Sequence, residues 1–131
     1  MSVPGGLGAA PFIGFVPVLD LAVAREFYAS TLGLSVAEET PAGLVLDAGA
    51  TMLRIAAVPR FSPQPFTVAG WSVPDIRATI AELSGRGISF VRFDGMEQDA
   101  DGVWTAPNGD QVAWFHDPDG NVLSLTTFHT T

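Results

Sequence analysis

Imidazole is scarce in this chain: His116 and His129 are its two histidines in 131 residues, and there is no cysteine. Thiolate metal sites, disulfides and a cysteine nucleophile are therefore excluded, as is a site with three histidine ligands. The six basic residues are all arginine (Arg25, Arg54, Arg60, Arg77, Arg86 and Arg92), so a Schiff-base or P-loop lysine is excluded too. The two histidines stand 13 positions apart, without the i, i+4 spacing of a helical metal pair. His116 precedes the turn Asp117-Pro118-Asp119-Gly120, where a strand-end side chain faces solvent or caps the turn. His129 is expected in a frayed tail. Asp94, Glu97, Asp99 and Asp101 form an acidic stretch without the ligand spacing of an EF-hand, and read as a solvated loop. Asp117 to Gly120 reads as a turn rather than a pair of catalytic carboxylates. What is plentiful is aromatic surface: three tryptophans and nine phenylalanines. Most of it must be core, but a share facing a pocket would suit a planar or hydrophobic ligand.

The elements that would carry these groups are short. Hydrophobic residues make up 47% and charged residues 15%, which fits a folded chain of one-domain size. The net charge of −8, with scattered arginines, offers no basic face for nucleic acid and repels anionic membranes. The N-terminal apolar stretch has no basic residue before Arg25, is broken by Pro4, Pro11 and Pro17, and stops at Asp20. That is neither a signal peptide nor a membrane span, so a cytoplasmic location is expected.

Residues 1–10, rich in Gly, Pro and Ala, are expected to form a loose arm ahead of a single domain over 11–131. Phe12–Val18 reads as a strand, and Asp20 as the N-cap of a helix reaching about Leu32. Ala24, Phe27, Tyr28 and Thr31 share one face of it, and Gly33 ends it. Strands follow at Leu34–Glu38, Leu44–Asp47 and Met52–Ala57. The proline-rich stretch 58–65 reads as a linker. Phe66–Val73 is again a strand. Asp75 caps a helix with Ile76, Ile80 and Leu83 on one face, ended by Gly87. Strands are expected at Ile88–Phe93, Gln111–His116 and Val122–Phe128, with Trp104 just before the hairpin Pro107-Asn108-Gly109.

The order of elements thus repeats: Val18-Leu19-Asp20 and Val73-Pro74-Asp75 open equivalent units 55 residues apart. The expected fold is α+β, with two tandem βαβββ modules, about 11–58 and 66–128. They would form a curved, mainly antiparallel sheet around a concave cavity.

These units, together with Phe27-Tyr28, Leu32-Gly33-Leu34, Leu83, Gly87 and the run Trp114-Phe115-His116-Asp117-Pro118-Asp119-Gly120-Asn121, resemble the vicinal oxygen chelate superfamily. That group holds glyoxalase I, bleomycin-resistance proteins and extradiol dioxygenases. The resemblance covers about residues 12–128. It implies a divalent cation held by His, Glu or Gln from the first and last strands of each module. Counted from this chain's own anchors, those positions fall on Ile13, Arg54, Val68 and Ser124. Ile13 and Val68 have no donor atom, and Arg54 would repel a cation. No metal and no other cofactor is therefore expected.

Arg54 then becomes a fixed positive charge in the place of the ion, able to bind a carboxylate, phenolate or enolate bidentately. Its competing reading is an ion pair with Asp47 or plain exposure to solvent. Ser124 offers either a hydroxyl to a ligand or simply a small side chain that leaves volume. Phe15 shares strand parity with Ile13, and Trp104 is placed to wall the mouth. Ile13, Phe15, Arg54, Val68, Trp104 and Ser124 are thus the candidate ligand-binding residues, and none is assigned a catalytic role. The expected function is metal-independent binding of an aromatic or hydrophobic metabolite or antibiotic by a homodimer. The alternative is a glyoxalase-like lyase or isomerase, with Arg54 or an unexpected divalent metal stabilising an oxyanion.

Overall fold

The computed structural model describes residues 5–129, and the chain divides into two compact units, Met1–Pro59 and Arg60–Thr131. Part of the expected N-terminal arm (1–4) and the last two residues lie outside the described residues. Within the arm, Leu7–Ala9 makes a single tight 3-10 turn with exposed side chains.

The first unit holds strand β1 (Ile13–Val18), helix α1 (Leu21–Arg25), and strands β2 (Ser35–Thr40), β3 (Gly43–Ala48) and β4 (Thr51–Ala57). The sheet order is β1-β4-β3-β2, with β1 parallel to β4 and the other pairings antiparallel. Asp20 caps α1 as expected, its Oδ1 accepting from the N–H groups of Ala22 (2.9 Å) and Val23 (3.2 Å). The helix does not continue as α: Glu26–Thr31 widens into a π turn, with Leu32 N–H donating to Phe27 O at 2.9 Å. Ala24 and Tyr28 nonetheless stay on the buried side, and Gly33 leaves the helix at φ 82°. The core lies on one face of the sheet, where Val16, Val18, Leu44, Leu46, Leu53 and Ile55 are buried, and α1 packs on β3 and β4. Each such side chain stabilises the unit by about 1.5–3 kcal/mol.

The second unit repeats the order with β5 (Thr67–Ser72), α2 (Ile76–Ser84), β6 (Trp104–Thr105), β7 (Gln111–His116) and β8 (Val122–Thr127). Its sheet order is β5-β8-β7-β6, again with one parallel pairing, β5 with β8. Ile76, Ile80 and Leu83 are buried as their spacing predicts, and α2 packs on β7 and β8. Val103, Ala113, Phe115, Val122, Leu123 and Leu125 are buried with them. The fold is therefore α+β, with two tandem modules, each built on an open, mixed four-stranded sheet.

One expected strand is absent. Ile88–Phe93 makes only an isolated bridge, Phe90 with Phe115, and a hydrogen bond from Val91 N–H to Trp114 O (2.7 Å). The reason is a side chain. Gln98 accepts from Phe93 N–H (2.7 Å) and donates to Val91 O (2.9 Å) and Gly102 O (2.8 Å), taking the groups a ladder would use. The place beside β7 goes instead to the two-residue strand β6.

Candidate functional site

Strand alternation leaves the other face of the first sheet uncovered within its own unit. Ile13, Phe15, Arg54 and Glu38 are all exposed on it, Phe15 at 63%. The register sets one row straight across four strands. Glu38 on β2 pairs with Val45 on β3, Val45 with Arg54 on β4, and Arg54 with Phe15 on β1. A β-bulge between Val36 and Glu38 is what brings Glu38 to this face, because Val36 pairs with the buried Leu46. Beside the row runs a second one of small side chains: Thr40, Gly43 and Ala56. A groove of about 230 Å³ lies over them, with Phe15, Glu38, Val45 and Arg54 on its walls. Gly43 is required by close backbone approach, since a Cβ there would stand 2.3 Å from Ile55 O.

The arginines of the chain differ sharply in their surroundings. Arg25 meets Glu39 at 2.7 Å, Arg86 meets Glu82 at 2.6 Å, and Arg77 meets Asp99 and Asp101 at 2.6 and 2.7 Å. Among the described residues no carboxylate lies within 4.0 Å of Arg54, so the ion pair with Asp47 considered above is not formed.

In the second unit, Ser124 sits on the sheet face opposite the buried Leu123 and Leu125, in register with Gly70 on one side and Trp114 on the other. It is only 8% exposed. Trp114 donates from Nε1 to Thr67 Oγ1 (3.0 Å) and meets Phe93 edge-on at 5.4 Å. Trp104 lies 6.4 Å from Trp114, tilted by 41°, and is half-buried. Val68 falls in a register shift of β5 between Thr67 and Ala69 and stands outside the ladder, 40% exposed. Of the six candidates, the structure thus brings Phe15 and Arg54 to one groove and places Ile13 on the same face. Trp104 and Ser124 share an aromatic face of the other unit. That face rests on Trp114, Phe93 and Thr67, none of which is among the six candidates.

The model of the Glyoxalase/Bleomycin resistance protein/Dioxygenase superfamily matches residues 12–125. The chain belongs to this superfamily. Among solved structures it is similar to a glyoxalase/bleomycin resistance protein/dioxygenase from Alicyclobacillus acidocaldarius, at 22% identity and TM-score 0.70, covering 93% of each chain. A superfamily member from Sphaerobacter thermophilus aligns at 22% identity and TM-score 0.72, over 92% of this chain and 98% of that one. A glyoxalase/bleomycin resistance protein from Catenulispora acidiphila aligns at 21% identity and TM-score 0.68, over 92% and 100%. At these identities the likeness is one of fold. No curated protein matches the chain.

The divalent cation that the vicinal oxygen chelate fold implies can be tested against the side chains present. In the first unit, Ile13 is hydrocarbon and Arg54 is a cation. In the second, Val68 is hydrocarbon, and Ser124 offers one hydroxyl. This set does not fit a divalent ion. Nor do the described residues hold any other group of three His, Asp or Glu arranged to bind one.

The remaining polar residues have structural work. Asp117 is 4% exposed, and its carboxylate accepts from the N–H groups of Asp119 (2.9 Å) and Asn121 (2.9 Å) and from Asn121 Nδ2 (2.8 Å). It shapes the turn from within. The acidic stretch is a loop, but an organised one. Arg77 holds Asp99 and Asp101, and Asp99 Oδ1 accepts from Val103 N–H at 3.1 Å. Arg77 pulls the Asp99 carboxyl below its ordinary value of 3.8, and the two carboxylates raise the Arg77 guanidinium. His116 is exposed at the end of β7. His129 is not frayed. Its N–H donates to Asp110 Oδ1 at 2.7 Å, and its ring lies against Gly109 of the hairpin. No helix among the described residues is long and apolar enough to cross a membrane.

Proposed function

We propose that this superfamily member binds a small aromatic or hydrophobic metabolite or antibiotic without a metal, through the open face of its first sheet. The observation that carries this reading is Arg54. A guanidinium beside an exposed phenyl ring, with no carboxylate partner within the described residues, is poised for an anionic oxygen on a ligand whose ring packs on Phe15. In the wider reading, the protein acts as a cytoplasmic homodimer. It then serves to sequester the compound rather than transform it.

Thermal-shift and calorimetric titration with a panel of planar aromatic carboxylates and phenols tests this. Ligand at a hundredfold excess over Kd raises stability by about 2.7 kcal/mol. The shift should survive exhaustive chelation and should shrink in Arg54→Ala. Loss of binding on chelation, restored by a stoichiometric divalent metal, would overturn the metal-independent reading. Conversion of a panel member to product would move the assignment to a lyase or isomerase.

A further inference from the structure

Arg54 is not the only unpartnered charge in its row. Among the described residues, no cation lies within 4.0 Å of Glu38, and both side chains line the same groove. Glu39, the next residue on β2, is by contrast paired with Arg25. Glu38 and Arg54 are separated by Val45, so their backbones are two strand spacings apart, about 10 Å. Opposite charges are therefore held on one surface, over an apolar residue, without contact. Phe15 extends the row beyond Arg54.

We infer that the groove recognises a compact zwitterion bearing an aromatic group: its carboxylate on Arg54, its protonated amine on Glu38, and its ring over Val45 between them. This rests on the reading that the open face binds a small molecule, and it names the chemistry of that molecule. Three features support it. Each ligand charge meets a protein charge that has no internal partner to give up, so binding displaces water rather than breaking an ion pair. The groove, about 230 Å³, is smaller than the roughly 300–1,000 Å³ of drug-sized sites, so the ligand is small enough for one molecule to span both charges. Finally, the chain carries a net charge of −8, a field that opposes a simple anion at long range but acts only weakly on a zwitterion.

The test compares para-(aminomethyl)benzoate with two probes that each lack one charge, para-toluate and para-methylbenzylamine, by calorimetry at low salt. The wild type should bind the zwitterion at least tenfold more tightly than either. In Glu38→Gln the zwitterion should fall to the affinity of para-toluate, whose own binding changes little. In Arg54→Gln both carboxylates should be lost. An unchanged zwitterion preference in Glu38→Gln overturns the inference but leaves the binding face intact. Carboxylate binding that persists in Arg54→Gln, or no binding of any probe, overturns the underlying reading of the face as well.

Discussion

Gly70→Ala puts a number on the crowding around Ser124. A Cβ on Gly70 would stand 2.3 Å from Ser124 Oγ, which is 0.7 Å short of the 3.0 Å that Cβ atoms require. The hydroxyl has little room to withdraw. Ser124 is 92% buried, its neighbour across β7 is Trp114, and that indole is tethered to Thr67. Forcing one carbon into a packed site of this kind costs about 2 kcal/mol. For a chain of this size that corresponds to a melting temperature lower by roughly 8 °C. Ser124→Ala removes the offending atom, leaving Ser124 O as the nearest neighbour at 3.2 Å. In that background the residual crowding is offset by the roughly 0.5–1 kcal/mol that Ala gains over Gly in a strand, so the substitution should be close to neutral. Urea denaturation of the wild type, both single variants and the double variant reads the coupling directly, as shifts in midpoint at constant m-value. A coupling of at least about 1 kcal/mol is expected. Equal costs for Gly70→Ala in the two backgrounds would refute the argument. Ser124 would then not rest on the Gly70 backbone, and its hydroxyl would be free to serve a ligand.

Two further outcomes follow from buried and paired carboxylates. Asp117→Ala strands two backbone donors in a buried turn and should cost about 3 kcal/mol. Asp117→Asn, which keeps one acceptor oxygen, should cost less, and denaturant melts of the two variants check the order. The Asp99 carboxyl is held below its ordinary value by Arg77, so its pairing stabilises the fold above that value and is lost as the pH falls through the lower, folded one. Stability measured from pH ~5 to ~2 should fall less steeply in Arg77→Gln than in the wild type, and less steeply in high salt, because the pair is exposed. A slope that Arg77→Gln leaves unchanged would show that other carboxylates set it.

Much of this molecule was legible before any coordinates. The two helix caps, Asp20 and Asp75, and the apolar faces at Ala24/Tyr28 and Ile76/Ile80/Leu83 depend on neighbours within one turn of chain, and they formed as expected. The strand at Ile88–Phe93 did not form, because apolar content says nothing of a glutamine five residues beyond it. Val68 was placed by counting along a strand, and a bulge invalidates any count.

Side-chain inventory, repeat and superfamily could all be read from the chain by itself, and with them the misfit of Ile13, Arg54 and Ser124 to a metal. Those properties reside in residue type and local spacing. Glu38 was invisible there. Nothing nearby in sequence ties it to an arginine 16 positions on, and only the pairing of β2, β3 and β4 sets both in one row. Cross-strand register depends on contacts between segments far apart along the chain, so only the tertiary structure could decide which charges share a groove and which neutralise each other.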